Sequence, residues 1–119
     1  MQSNNEALRV VDEAAALERI GGDRQLLREI AALFLQEYPE LLETMRNALA
    51  AGDAKALERA AHSLKGSASN FGAYACVEAA LDLERMARGA DLERCHEGFN
   101  TLTVRLAALH AELVRLAGE

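Results

Sequence analysis

Apolar residues recur at alternating intervals of three and four along most of this chain. The longest such series follows Asp91 and comprises Leu92, Cys95, Phe99, Leu102, Leu106, Leu109, Leu113 and Leu116. This spacing places the side chains on one face of an α-helix and is typical of a helical-bundle seam. No stretch of the chain shows the strict alternation of apolar and polar residues that would indicate a strand.

Capping and turn residues divide the pattern into helices. Asp12 is a good N-cap for a short helix that ends near residue 20, before two glycines. Longer helices are predicted from the Asp23 cap to residue 51, over residues 54–70, over residues 74–88, and from Asp91 onward. Gly72 suits the position just after the third of these five helices, where a left-handed backbone favours glycine.

Long amphipathic helices with short connections favour antiparallel neighbours. We therefore predict an all-α fold, an antiparallel up-down four-helix bundle with a short additional N-terminal helix. With 119 residues the chain is long enough for one domain with a real core. We expect residues 1–9 to be a flexible N-terminus and residues 10–119 to form the bundle domain.

Two features of the second helix need a separate prediction. Pro39 cannot donate a backbone hydrogen bond and crowds the preceding turn, so we expect a kink, or a break and restart, near Tyr38. Leu26 and Leu33 lie at the edge of the apolar face. They could pack under the short first helix or form part of an apolar docking patch, and we favour the first.

Composition excludes several classes of protein. The formal net charge is −6 and no basic stripe stands out, so nucleic acid is not an expected partner. No apolar run could span a membrane, and no signal sequence is evident. Cys76 and Cys95 are not in a Cys-x-x-Cys spacing, and we expect buried, reduced thiols and a cytoplasmic protein.

The third helix carries the candidate chemistry. Its apolar sector leaves His62, Lys65 and Gly66 together on the opposite face. An exposed imidazole is largely neutral at pH 7, so one ring nitrogen has a free lone pair and is a nucleophile. Lys65 could offset a new negative charge on the ring, and Gly66 keeps the surface low. These features fit a phosphoryl group that is accepted and later released.

Glu84 lies close to the apolar sector of the fourth helix, where a carboxylate needs a partner. If the third and fourth helices are neighbours, Glu84 could accept a hydrogen bond from His62 and fix its tautomer. Alternatively, it could extend to solvent or pair with Arg88, four residues later. The sequence alone leaves both interpretations open.

The segment His-Ser-Leu-Lys-Gly-Ser at residues 62–67, with Phe-Gly-Ala at 71–73 and Leu-Glu at 83–84, resembles the histidine-containing phosphotransfer (HPt) domain of multistep two-component signalling. The Gly-Gly-Asp entry at residues 21–23 extends the resemblance over nearly the whole chain. His-x-x-Lys-Gly alone would be a weak signal, but the motif order and the helix order together are specific.

The resemblance implies a role for each site residue. His62 would accept a phosphoryl group from a receiver-domain phospho-aspartate and pass it to another receiver. Lys65 would stabilise the phosphohistidine, Gly66 would leave room for the receiver, and Glu84 matches the ring-orienting position. The expected partners are receiver domains and a histidine kinase or hybrid sensor kinase.

The resemblance also implies what the chain lacks. We expect no cofactor or metal site of its own, since Mg²⁺ would come from the receiver domain. No P-loop motif is present, so we expect a phosphoryl carrier and not an enzyme with a kinase domain. Monomer is the expected state, because the face with the histidine has to stay open.

Two rival functions remain. A histidine kinase domain with bound ATP could phosphorylate His62 directly, or the chain could be a helical interaction module whose histidine is never modified. The other histidines, His96 and His110, show no comparable surroundings in the sequence. Glu58 and His62 are four residues apart and could form half of a metal site, but no further ligands are evident.

Overall fold

The computed structural model describes residues 10–118, which fold into five α-helices and no strands. The helices are α1 (Glu13–Arg19), α2 (Arg24–Ala51), α3 (Ala54–Ser69), α4 (Tyr74–Arg88) and α5 (Leu92–Ala117). The predicted all-α class is confirmed, and the helix limits agree closely with those expected from the sequence. The flexible segment predicted for residues 1–9 lies outside the described residues. In the described part of the chain, no helix is long and apolar enough to cross a membrane.

Aspartates begin four of the five helices. Each accepts a hydrogen bond from the backbone N–H three residues later, and the caps are Asp12, Asp23, Asp53 and Asp91. Such a cap satisfies a backbone donor that has no partner within the helix, and each is typically worth about 1 kcal/mol. The helix starts are therefore determined locally by the sequence.

The four long helices contact one another in a closed order, α2 with α3, α3 with α4, α4 with α5, and α5 with α2. Their apolar faces meet in one core, and every predicted seam position of α5 from Cys95 onward is buried. Both cysteines are buried free thiols, as predicted. Burial raises the pKa of the Cys76 thiol to about 12, which makes it a poor nucleophile.

The short helix α1 is held against the connection between α3 and α4. The backbone N–H of Asp12 donates to the carbonyl of Phe71 at 3.0 Å, and Arg19 donates to the carbonyl of Ser69 at 2.7 Å. These bonds satisfy the carbonyl of the last residue of α3 and one in the turn that follows, neither of which has a partner within the helix. The N-terminal helix therefore helps to fix the turn that sets α3 beside α4.

The helix α2 does not break at Pro39. It continues from Arg24 to Ala51, so the predicted break and restart near Tyr38 is wrong. Phe34 and Met45, on either side of the proline, are both buried in the core and hold the two halves of the helix in place. Pro39 itself is exposed, so water can reach the carbonyl that the missing N–H would have bound.

Leu26 and Leu33 do not pack under α1, contrary to the favoured prediction. They are 39% and 51% exposed. Both lie about 100° or more around the helix from Leu27, which is buried, and the seven residues of α1 do not cover that flank. Leu33 instead lines a surface groove between α2 and α3 whose floor includes Phe34 and Phe71.

Gly72 should tolerate no side chain. Its φ is +61°, and an added Cβ would lie 2.6 Å from the Cβ of Asp12. Gly72→Ala should lower the free energy of unfolding by about 2–3 kcal/mol, measured by urea denaturation, because a steric clash adds to left-handed strain. Gly21→Ala is the matched control, since φ is +73° and an added Cβ meets nothing within 4 Å. Equal losses in the two variants would show that the contact with Asp12 is unimportant.

Candidate functional site

His62 projects from the outer face of α3. The inward face of this helix is set by Leu57, Ala61 and Leu64, all fully buried. Because side chains on opposite faces of a helix point apart, burial of this stripe turns His62 outward. The side chain of His62 is 67% exposed, as the helical spacing predicted.

Glu84 on α4 is the only buried polar or charged residue in the part of the chain that the structure describes. It is 4% exposed, next to the fully buried Leu83. Removing a carboxylate from water is unfavourable unless cations and hydrogen-bond donors replace the lost hydration. The position of Glu84 therefore requires partners.

Three side chains supply those partners. The Nδ1 of His62 lies 3.0 Å from Oε2 of Glu84, and the Nζ of Lys65 donates to Oε1 at 2.8 Å. The Nη2 of Arg88 donates to Oε2 at 3.0 Å. Glu84 contacts His62 on the neighbouring helix, as the first interpretation predicted, and also pairs with Arg88, as one form of the second predicted, but it does not extend to solvent.

These contacts keep Glu84 charged. The hydrogen bond from Lys65 is the largest influence and holds the pKa of the carboxyl below its usual value. Burial acts in the opposite direction, and the hydrogen bond with His62 lowers the pKa further. At neutral pH the group is therefore a carboxylate, which can accept hydrogen bonds but cannot donate one.

The charge on Glu84 determines which nitrogen of His62 is free. Because a carboxylate only accepts, Nδ1 must carry the proton of the contact, and in the neutral ring the lone pair is then on Nε2. The hydrogen bond also fixes the orientation of the imidazole. The site thus presents one nucleophilic nitrogen on an exposed, oriented ring.

Lys65 and Gly66 lie one turn further along the same face of α3. Lys65 is bound to Glu84, and its side chain is only 25% exposed. Gly66 is exposed, and a Cβ added there would meet nothing within 4 Å. No contact with the described residues therefore requires glycine at this position.

One interaction was missed by sequence reasoning. The Nε of Arg88 donates to Oε2 of Glu58 at 2.9 Å, so Arg88 bridges two carboxylates on different helices. The four-residue spacing of Glu58 to His62 and of Glu84 to Arg88 places each pair on one face of its own helix, but it does not show that the two faces meet. Among the described residues, no group of three or more His, Cys, Asp and Glu could hold a metal ion.

The other two histidines contribute nothing to this arrangement. His110 on α5 shares a 2.7 Å hydrogen bond with the hydroxyl of Tyr38 on α2, and His96 is exposed on α5. Beside His62 lies an open surface basin, which is lined by Lys55, Glu58, Arg59, His62, Ser63, Glu84 and Arg88. Neither of the other histidines lines this basin. The candidate site is therefore confined to α3 and α4.

Comparisons with known proteins agree with this geometry. The family model described as "Hpt domain" matches residues 29–117. The crystal structure of histidine-containing phosphotransfer protein B (HptB) from Pseudomonas aeruginosa PAO1 is similar, with a TM-score of 0.85 and 25% sequence identity. That match covers 93% of this chain and 96% of the other. No curated protein sequence gives a significant match.

Glu84→Gln should change how stability depends on pH. Contacts that lower the pKa of Glu84 in the folded chain stabilise it above about pH 4.3, and this stabilisation is lost as pH falls through the folded-state pKa. Because the amide cannot ionise, the free energy of unfolding of the variant should be about 1–2 kcal/mol lower at pH 7. It should also fall less steeply than that of the unmodified chain as the pH is lowered. Urea denaturation between about pH 7 and pH 3 measures both effects.

A control for this experiment is Glu43→Gln. Glu43 pairs with Arg46 at 3.8 Å, and both side chains are more than half exposed. This variant removes the same charge from an exposed pair. Its free energy of unfolding should therefore fall with decreasing pH as steeply as that of the unmodified chain. If the free energy of unfolding fell as steeply in Glu84→Gln as in the unmodified chain, the assigned role of the buried carboxylate would be contradicted.

Proposed function

This chain belongs to the Hpt domain family, and we propose that it accepts a phosphoryl group on His62 from the phospho-aspartate of a receiver domain and passes it to another receiver. Membership in the family, together with the likeness to HptB, places it in phosphotransfer within two-component signalling. The direction of transfer and the identity of the reacting residue are the parts we propose.

The observation that carries this proposal is the orientation of the His62 ring. Its Nδ1 is bound to the buried carboxylate of Glu84, while the ring is 67% exposed. A free nucleophilic nitrogen is then presented to a partner, and no helix among residues 10–118 covers it. Such an arrangement suits a reaction whose second half is supplied by another protein.

In the proposed reaction, Nε2 of His62 attacks the phosphorus of the partner's acyl phosphate. The Nε2–P bond forms as the P–O bond to the aspartate breaks, and the aspartate leaves as a carboxylate. Positive charge develops on the ring and is stabilised by Glu84 through Nδ1–H. Lys65 is assigned the neutralisation of phosphoryl charge, since its ammonium is held in the same cluster.

The chain is proposed to act as a carrier without a cofactor of its own. The receiver would supply Mg²⁺ and the acidic pocket, and phosphoryl transfer depends mainly on positioning and charge neutralisation. We further propose an antiparallel up-down arrangement of α2 to α5, a monomer, and a cytoplasmic location. A monomer leaves the His62 face open to a receiver domain or a histidine kinase.

Phosphorylation should depend on His62. The chain is incubated with a phosphorylated receiver domain, with a histidine kinase domain and ATP, or with neither. We expect acid-labile, base-stable label from the receiver, and its loss in His62→Gln, because the amide offers no nucleophilic nitrogen. Circular dichroism should show an unchanged fold, since His62 is exposed.

The arms of this experiment separate the candidate functions. Label from the kinase domain alone, with none from any receiver in a panel, would favour the direct kinase route. Label in His62→Gln, or none in any arm, would contradict the relay proposal. In the latter case a helical interaction module would remain as the explanation.

Gly66→Ala should separate stability from transfer. The added methyl group meets none of the described residues within 4 Å, and alanine favours a helix over glycine by about 0.5–1 kcal/mol, so the variant should be more stable. Transfer from a receiver should nevertheless slow by about tenfold or more, seen as a higher KM, if the partner backbone has to approach this position.

Phosphoramidate provides the control for Gly66→Ala. It is a small phosphoryl donor that needs no docking, so it should label the variant and the unmodified chain at the same rate. Unchanged transfer from the receiver would show that Gly66 does not serve clearance.

A further inference from the structure

Arg88 is held by two carboxylates at once. Its Nε donates to Glu58 at 2.9 Å, and its Nη2 donates to Glu84 at 3.0 Å. The hydrogen bond with Glu58, more than the contacts with Glu84, raises the pKa of Arg88. Glu58 is thus a second anchor for the guanidinium, and the proposed phosphotransfer reaction assigns that residue no role.

Glu58 and Arg88 border the same surface as the reacting ring. Glu58 precedes His62 by four residues and lies on the same side of α3. The two residues and His62 line one open basin of about 560 Å³. A phosphoryl group on His62 would therefore share this basin with the guanidinium that Glu58 binds.

The charges that the ion pairs join around the unmodified ring are balanced. Lys65 and Arg88 are cationic, and Glu58 and Glu84 are anionic, so these four formal charges sum to zero when His62 is neutral. Lys55 and Arg59 line the same basin and add two further positive charges to it. Without Glu58, the ion-paired cluster would carry one net positive charge. A dianionic phosphoryl group would then attract Arg88, whose side chain is 61% exposed.

We propose that Glu58 is a positioning residue that holds Arg88 beside Glu84 and away from the phosphoryl group, so that the phosphohistidine is discharged readily. This inference rests on the proposed function of His62. Glu58 is proposed to act through Arg88, with which it shares a 2.9 Å hydrogen bond.

The reason lies in the outgoing transfer. The Nε2–P bond breaks as a P–O bond forms to the receiving aspartate, and the electron pair of the broken bond returns to Nε2. The proton on Nδ1 stays in its hydrogen bond with Glu84. A guanidinium bound to the phosphoryl oxygens would stabilise the phosphohistidine before transfer and would have to release it, which slows the reaction.

The test compares the discharge of phosphorylated variants. The unmodified chain, Glu58→Gln, Arg88→Gln and the double variant are phosphorylated with phosphoramidate, and transfer to an unphosphorylated receiver domain is followed at saturating receiver. Glu58→Gln should discharge about twofold to fivefold more slowly, the range expected for one partly exposed charge pair. The difference should shrink at high salt, where such charges are screened.

The double variant identifies the route of the effect. In the Arg88→Gln background, Glu58→Gln should change the rate by much less, because the cation that Glu58 restrains is gone. Glu43→Gln, which removes a charge from the exposed pair with Arg46, should discharge at the unmodified rate. Urea denaturation of each variant confirms that the comparison is made on folded protein.

Two results would overturn the inference about Glu58. One is a discharge rate in Glu58→Gln equal to that of the unmodified chain, and the other is an undiminished slowing in the Arg88→Gln background. A different result would contradict the proposed function itself. In that case His62 of the unmodified chain would stay unlabelled with phosphoramidate or with a phosphorylated receiver.

Discussion

The site depends on one constraint, which is that the buried carboxylate of Glu84 has to be compensated. A charge removed from water needs cations and donors close by, and Glu84 finds them in His62, Lys65 and Arg88. The same three contacts orient the imidazole, hold the ammonium and join α3 to α4. A single desolvated group thus links the stability of the helix pair to the tautomer of the exposed ring, and Glu58 extends the cluster to the surface.

The bundle satisfies this constraint by bringing α3 and α4 close together. These two helices make the most extensive contact in the described part of the chain, and both bury many alanines, including Ala60, Ala61, Ala79 and Ala80. Interaxial distance depends on side-chain size, so small residues let the helices approach. The turn at Gly72, tied to Asp12 through Phe71, sets their connection. Short side chains in the core therefore permit the ring of His62 to reach a carboxylate on the next helix.

Much of the fold could be predicted because its signals are local. Aspartate caps and glycine turns set the helix limits, and the three-and-four spacing identifies the buried face. Local rules failed where packing opposed them. Pro39 does not break α2, because buried residues hold the helix on both sides. Leu26 and Leu33 are exposed because α1 does not cover their side of α2. Where α1 packs on α2 is a tertiary contact, and the periodicity of either helix does not predict it.

For the site, the sequence by itself determined that His62, Lys65 and Gly66 share one exposed face, because helical spacing alone decides which side chains are neighbours on one helix. It left the partner of Glu84 undecided between His62 and Arg88. Only the tertiary structure decided that question, and it placed both donors and Lys65 on the same carboxylate. The physical reason is that contacts between α3 and α4 depend on the distance and rotation of two packed helices, quantities that no spacing within either helix contains.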